Sequence, residues 1–326
     1  MKKTKKFLSS ALIFCFMLCL GAAAFADEEP NTPQYTDAAE VTVTKVYKLI
    51  GDGTSPAESF TLRQVGKGVV KDGEADAVPD LVSITGAAFP EGAASADGAE
   101  AKITIALPAY ERVGVYEYTL SEVPGSTAGV SYYGDDIHLT VTVINDSSTG
   151  RLRIAAVHTE SVGEEKSDRF PNTYSAGKLN IAKQVTGNLG DMTKYFSFTV
   201  TLTGEEGKTY ADSFTVSGGS SENNPSEIKL GEPTTVYLKA DDTLTVSNLP
   251  YGISYTVTEE TPSDYTLTNS GDTGTVSSAL QTASFTNNKG GNPDTGIFLD
   301  SLPYIVTLVI IGLAVVFFTL RKRFSK

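Results

Sequence analysis

The chain has 326 residues, a net charge of −13, two cysteines and no tryptophan. Both cysteines, Cys15 and Cys19, lie in the first 26 residues, so the rest of the chain can form neither a disulfide nor a cysteine-based metal site. Segments 1–26 and 297–326 hold eight of the 26 basic residues but one of the 39 acidic residues. The remainder is therefore strongly acidic, which argues against nucleic acid as a partner.

Residues 1–26 have the three parts of a secretory signal peptide. Four lysines lie between positions 2 and 6, an apolar run covers 7–20, and small residues lead to Ala26. We predict cleavage after Ala26. An uncleaved membrane anchor is the alternative, which the short apolar run disfavours. A lead, residues 27–40, then precedes the first predicted strand.

The other end of the chain is apolar over residues 297–320 and basic over 321–326. An apolar stretch of this length predicts a transmembrane helix, and the positive-inside rule places the tail in the cytoplasm. Everything between the two ends is then outside the cell.

A linker and a five-residue motif, together 290–296, stand just before this predicted helix. The motif is Asn292, Pro293, Asp294, Thr295 and Gly296. Followed by an apolar span and a basic tail, it resembles the cell-wall sorting signal of Gram-positive surface proteins. The resemblance implies that a sortase attacks the Thr295 carbonyl and transfers Thr295 to an amine. Asn292 stands where leucine is usual, which leaves the class of sortase open.

The middle of the chain alternates β-branched or aromatic residues with polar ones, as in segments 41–44, 139–143 and 196–200. This period of two predicts half-buried strands. We expect an all-β protein of two tandem immunoglobulin-like β-sandwich domains, 41–175 and 176–289. Residues 86–101, rich in alanine and glycine, read as a loop insertion.

The two predicted domains repeat the order lysine, glutamate, asparagine, which suggests a repeat unit of one domain. Side chains at i, i+2 and i+4 share one face of a strand. By this parity six polar residues point into the predicted cores: Lys45, Glu122 and Asn172 in the first domain, and Lys183, Glu259 and Asn287 in the second.

Burial of a lone amine or carboxyl group favours its neutral form. A neutral lysine is a nucleophile, and a protonated glutamate can polarise a carboxamide and carry protons. The three residue types together therefore suit formation of a Lys–Asn isopeptide bond with loss of ammonia. The structural alternative is a buried Lys–Glu salt bridge beside a hydrogen-bonded asparagine. Lys48, Glu260 and Asn288 are rival residues, but parity turns them outward.

The chain resembles the isopeptide-linked major pilins of streptococci, of the T-antigen type with Cna-B-like domains. Segment 249–259, followed by Tyr265, carries the resemblance most clearly. It implies bonds from Lys45 to Asn172 with Glu122 and from Lys183 to Asn287 with Glu259, each glutamate acting as the proton shuttle. It also implies that Lys166, before the first asparagine, is the acceptor that joins one subunit to the next.

The resemblance implies a pilus backbone subunit anchored in the cell wall. Its expected partners are a sortase, neighbouring pilin subunits or a peptidoglycan precursor, the membrane before sorting, and a possible host surface ligand. A wall-anchored adhesin or stalk protein that is never polymerised is the alternative. An enzyme is disfavoured because His138 and His158 lack serine, cysteine or metal-binding partners at useful spacing, and we expect no cofactor or metal.

Overall fold

The computed structural model describes residues 37–73, 77–161, 166–292, 304 and 306–313. The predicted signal peptide and residues 293–296 of the sorting motif lie outside these ranges. Of the predicted transmembrane segment, Tyr304 and 306–313 are described, and they are helical. No helix in the described ranges has the length and apolar character needed to cross a membrane.

The described part of the chain is otherwise built from strands. In its first half they are β1 (Glu40–Gly51), β2 (Glu58–Phe60), β3 (Leu62–Gln64), β4 (Val69–Gly73), β5 (Ser83–Thr85), β6 (Ala87–Phe89), β7 (Ala99–Ala106), β8 (Gly114–Glu122), β9 (Val130–Ser131), β10 (Ile137–Asn145) and β11 (Leu152–Ser161). The others are β12 (Arg169–Thr186), β13 (Phe196–Thr203), β14 (Ser213–Gly218), β15 (Glu227–Lys229), β16 (Thr234–Leu238), β17 (Thr243–Pro250), β18 (Ser254–Glu260), β19 (Thr266–Ser270), β20 (Thr273–Thr275) and β21 (Leu280–Asn288). The all-β prediction is confirmed.

The strands form because apolar and polar residues alternate along them. In β8 every second residue, from Gly114 to Glu122, is buried and those between are half-buried. In β18 the alternation is between buried and exposed positions. A strand with one apolar face must cover that face with another layer, which two facing sheets provide.

One large sheet runs through both halves of the chain, in the order β15-β14-β17-β12-β1-β7-β5, with β9 and β21 also pairing with β12. A second sheet, β11-β10-β8-β3 with β4, belongs to the N-terminal half. A third, β16-β13-β18-β20, belongs to the C-terminal half. Buried side chains form two clusters, one between Val43 and Ala176 and the other between Leu179 and Phe285.

Strand β12 connects the two halves without a loop. It is 18 residues long, and the predicted boundary between residues 175 and 176 lies inside it. Beside it, the backbone N–H of Tyr251 donates to the Ser175 carbonyl at 3.0 Å, and Lys178 forms an ion pair with Asp52 at 2.6 Å. The last strand of the first half is thus also the first strand of the second.

The interpretation of residues 86–101 as a loop insertion is wrong at both ends. Residues 87–89 form β6, which pairs with β2, and β7 begins at Ala99. Phe89 is buried, and its ring centroid lies 5.7 Å from that of Phe60. Small residues conceal a short strand because they carry little of the β-branched and aromatic signal.

Two buried lysine-glutamate-asparagine clusters

The lysine and the asparagine of each half lie on neighbouring parallel strands. In the N-terminal half β1 pairs with β12, and Tyr47 stands opposite Asn172. In the C-terminal half β12 pairs with β21, and Val185 stands opposite Asn287. Each lysine, Lys45 or Lys183, precedes that opposite residue by two positions, so it shares a face with the asparagine and is its diagonal neighbour. The register is the same in both halves.

The glutamates come from the facing sheets. Glu122 ends β8, and Glu259 lies near the end of β18. Each carboxylate therefore approaches its lysine and asparagine across the core, and not along the sheet. The structure brings all six residues into two clusters between sheets, and all six are buried.

In the N-terminal cluster the three side chains are mutually hydrogen-bonded. The Lys45 Nζ donates to Glu122 Oε2, and also to Asn172 Oδ1 at 2.7 Å. The Asn172 Nδ2 donates to Glu122 Oε1 at 2.6 Å. In addition, the backbone N–H of Tyr133 donates to Asn172 Oδ1 at 2.8 Å and lies 3.3 Å from Glu122 Oε1.

In the C-terminal cluster the glutamate bridges the other two groups. The Lys183 Nζ donates to both Glu259 oxygens, at 3.2 and 3.0 Å, and the Asn287 Nδ2 donates to Glu259 Oε1. Within the described residues, Asn287 Oδ1 has no hydrogen-bond partner although it is buried. The two clusters therefore hold the same groups but differ at the amide oxygen.

Burial acts on both amines. Neither Lys45 nor Lys183 exposes any surface. Desolvation lowers the pKa of each amine from its ordinary value, and the neighbouring glutamate offsets part of that change by attraction and hydrogen bonding. A lowered pKa enlarges the fraction of neutral amine, which is the nucleophilic form.

Aromatic rings surround the amines. The Lys45 Nζ lies 5.2 Å from the ring centroid of Phe60 and 5.6 Å from that of Tyr133. The Lys183 Nζ lies 4.2 Å from the centroid of Phe196 and 5.8 Å from that of Phe198. The rings exclude water, and a low local dielectric strengthens each polar contact in the cluster.

The other residues singled out in the sequence lie elsewhere. The rivals Lys48, Glu260 and Asn288 are exposed, as parity indicates. Lys166 is also exposed, and its backbone forms an isolated bridge with Glu160 at the end of β11. Of the sorting motif, Asn292 is described and exposed, while 293–296 lie outside the described residues.

Chemically, each cluster combines a nucleophile, an amide and a proton carrier. The amine can attack an amide carbon, the carboxyl group is hydrogen-bonded to both the amine and the amide nitrogen, and burial lowers the pKa of the amine. In the described residues no group of three or more His, Cys, Asp or Glu side chains is placed to hold a metal.

One hydrogen bond of the N-terminal cluster, from the Tyr133 backbone N–H, could not be predicted from the sequence. The Tyr133 contact is made by a backbone N–H, which every residue except proline carries, so no side-chain pattern marks it. Parity does not reveal the continuity of β12 either, because the buried positions of this strand change from even-numbered to odd-numbered between Ala176 and Gly177.

Comparison with known protein families gives two matches, one in each half of the chain. The family described as "Spy0128-like isopeptide containing domain" matches residues 41–175. A "Domain of unknown function (DUF7601)" matches residues 177–289.

Relatives and solved structures cover more of the chain. A pilin of Streptococcus pyogenes serotype M1 is 24% identical over 94% of this chain and 98% of its own length. The pilus tip adhesin Cpa of Streptococcus pyogenes is 29% identical over 43% of this chain, but over only 20% of its own length. The crystal structure of the major pilin from Streptococcus pyogenes covers 78% of this chain and all of its own, at 21% identity and a TM-score of 0.53, which shows a shared fold. The resemblance to streptococcal major pilins is thereby confirmed, and its family match lies in residues 41–175.

Proposed function

We propose that this chain is a pilus backbone subunit in which each buried cluster forms an intramolecular Lys–Asn isopeptide bond. The observation that carries the proposal is shared by both halves: the lysine and the asparagine are diagonal neighbours in the same strand register, and both are hydrogen-bonded to one buried glutamate. A structural salt bridge does not require an asparagine at the same point in both halves.

The bond forms in one turnover. The neutral lysine Nζ attacks the asparagine Cγ, a new C–N bond forms, and the carbonyl electrons move to Oδ1. The glutamate takes a proton from Nζ and gives one to Nδ2, with which it is already hydrogen-bonded in both clusters. The Cγ–Nδ2 bond then breaks and ammonia leaves, so the glutamate ends in its starting state.

The position of the bonds suits a shaft under tension. Lys45 lies on the first described strand, Asn287 on the last, and β12 carries Asn172 and Lys183 between them. Once both bonds exist, a force applied at the two ends travels through Lys45, the β12 backbone and Asn287. Unfolding of either core then requires breaking a covalent bond.

Assembly rests on the two ends of the chain. We propose export by the signal peptide, transient anchoring by the membrane segment 297–320, and cleavage by a sortase after Thr295. Transfer of Thr295 to Lys166 of another copy extends the pilus, and transfer to a peptidoglycan precursor fixes it in the wall. The exposure of Lys166 supports its role as acceptor. The relationship to a pilin and to a pilus tip adhesin supports association with other pilus proteins.

The experiment is a wall extract of cells that produce the chain, separated by mass under denaturing conditions. The intact chain gives a ladder of covalent multimers, and Lys166→Arg abolishes the ladder while a single anchored subunit remains. Lys208→Arg, at another exposed lysine, is the control and keeps the ladder. A full ladder from Lys166→Arg removes Lys166 from the assembly.

The second candidate is a wall-anchored adhesin or stalk that is never polymerised, favoured by the match to the tip adhesin. In that case the extract contains one anchored species and no ladder, and the two isopeptide bonds still form. The same experiment therefore separates the two candidates.

A further inference from the structure

The asparagine amide oxygen has different hydrogen-bond partners in the two clusters. Asn172 Oδ1 accepts hydrogen bonds from Lys45 Nζ and from the Tyr133 backbone N–H. Asn287 Oδ1 accepts none within the described residues. The orientation of the Asn172 amide follows from this network, because the flipped amide would place an NH₂ group against two donors and its oxygen against Glu122.

The strand beside each asparagine explains the difference. In the N-terminal half β9 pairs antiparallel with β12 only at Thr173 and Tyr174, and it ends before it reaches Asn172. After β9 the chain no longer pairs with β12, so the Tyr133 N–H is available to the Asn172 side chain. In the C-terminal half β19 continues past the cluster, with Leu267 directly opposite Asn287. The backbone of β19 is therefore paired with β21 at this point.

Tyr133 is held in place by its own side chain. Its ring packs edge-on against Phe170 with centroids 5.4 Å apart, and its hydroxyl contacts Ser161 Oγ. The N–H is thus fixed before any reaction, and a fixed donor needs no rearrangement when charge develops on the oxygen it faces.

We propose that the Tyr133 backbone N–H is the oxyanion donor for bond formation at Asn172, and that no described residue of the C-terminal half supplies an equivalent donor to Asn287. The proposal rests on the proposed isopeptide chemistry and adds a participant to it. When Lys45 Nζ bonds to Cγ, the electron pair of the C=O bond moves to Oδ1. The Tyr133 N–H faces that oxygen throughout, while Nζ is occupied with the new bond. The electron pair returns as ammonia leaves, so the donor gives up no proton.

The test replaces the Tyr133 N–H by an ester oxygen, using the α-hydroxy acid analogue of tyrosine at this position. The side chain and its contacts stay the same. The full ectodomain is made by cell-free synthesis, samples are quenched in acid over time, and the cross-linked peptides of both halves are quantified by mass spectrometry. We expect the Lys45–Asn172 peptide to form about 10²-fold more slowly than in the unmodified protein.

The Lys183–Asn287 peptide of the same molecule is the internal control, and its rate is expected to stay unchanged. If the ester variant forms the Lys45–Asn172 peptide at the unmodified rate, the oxyanion role is wrong while the isopeptide chemistry stands. If neither peptide forms in the unmodified protein, the isopeptide chemistry itself is wrong.

A second measurement needs no variant and covers the case in which the ester protein does not fold. Because Oδ1 becomes the carbonyl oxygen of the new amide, the Tyr133 N–H keeps its acceptor after the reaction. Amide hydrogen exchange of the unmodified ectodomain, followed by NMR, is expected to be at least about tenfold slower at Tyr133 than at the exposed neighbour Gly134. Equal exchange at the two amides would overturn the proposal.

Discussion

Asn172 and Lys183 lie on the same strand, β12, and both are buried although an odd number of positions separates them. In a regular strand such positions face opposite sides. The buried positions of β12 are even-numbered up to Ala176 and odd-numbered from Gly177 onward. The pairing with β17 shifts register between Gly177 and Leu179. Because of this irregularity, one strand buries Asn172 in the first core and Lys183 in the second.

Gly177→Ala is expected to destabilise the protein, because a Cβ at this position would lie 2.2 Å from the Ser278 carbonyl oxygen. Backbone must move to relieve such a contact, and we expect a loss of about 1–3 kcal/mol in the free energy of unfolding. Chemical denaturation measures it. Gly134→Ala is the control, since nothing lies within 4 Å of its Cβ. Equal stability of the two variants would mean that the irregularity tolerates a side chain.

Glu259→Gln is expected to prevent the C-terminal bond, because the amide cannot carry the proton from Lys183 to the leaving nitrogen. One molecule of ammonia then stays in the protein. A cross-link closing a loop of roughly 100 residues contributes about 4.7 kcal/mol in the chain-entropy model, so the melting temperature is expected to fall by about 10 °C or more. Peptide mass spectrometry and calorimetry measure the two effects.

The matched control for this change is Glu260→Gln, at the exposed neighbour of the same strand. It is expected to retain both bonds and the melting temperature. A Lys183–Asn287 peptide in Glu259→Gln would show that Glu259 is not the proton carrier.

The rate of bond formation is expected to fall on acidification. Burial lowers the pKa of Lys45 and Lys183, and only the neutral amine attacks. Well below the amine pKa, each unit of acidification reduces the neutral fraction about tenfold. Newly synthesised ectodomain is transferred to buffers from neutral to mildly acidic pH, and the cross-linked peptides are followed over time. A rate that stays constant or rises in this range while the protein remains folded would contradict attack by a neutral amine.

The extension of the ectodomain under force is expected to depend on the two proposed isopeptide bonds. Pulling on the two ends of the unmodified ectodomain in a force spectrometer should give no unfolding step, because the covalent path bypasses both cores. Lys45→Met prevents the proposed bond to Asn172. The chain between these two residues, which are 127 positions apart, can then extend under force. Unfolding of the N-terminal half should then lengthen the molecule by about 430 Å at roughly 3.4 Å per residue.

Lys48→Met is the control for the pulling experiment, because Lys48 lies on the same strand but is exposed. It is expected to behave as the unmodified protein. An unfolding step of the same length in the unmodified ectodomain would show that the bond does not carry the load.

Much of the fold could be predicted from the alternation of residues. Parity along short strands such as β8 and β18 predicts that the two glutamates point into the core, and both are buried in the structure. The same counting placed Lys45 and Lys183 inside, because apolar neighbours at i±2 mark the buried face. A period of two is a local property, so a single sequence is enough to read it.

What could not be predicted depends on distant pairings. The register that sets Tyr47 opposite Asn172, and the irregularity at Gly177, arise from contacts between strands far apart in the chain. The Tyr133 contact depends on where β9 ends against β12. Neither a strand partner nor the free end of a ladder leaves a repeating pattern in the sequence.

The most direct test of the account is the intact mass of the purified ectodomain, residues 27–292, under denaturing conditions. Two isopeptide bonds predict a mass below that of the sequence by two molecules of ammonia, and the double variant Lys45→Met, Lys183→Met, made as the control, should show the mass of its own sequence. A mass equal to that of the unmodified sequence would contradict both bonds, and a deficit of one ammonia would leave only one cluster reactive.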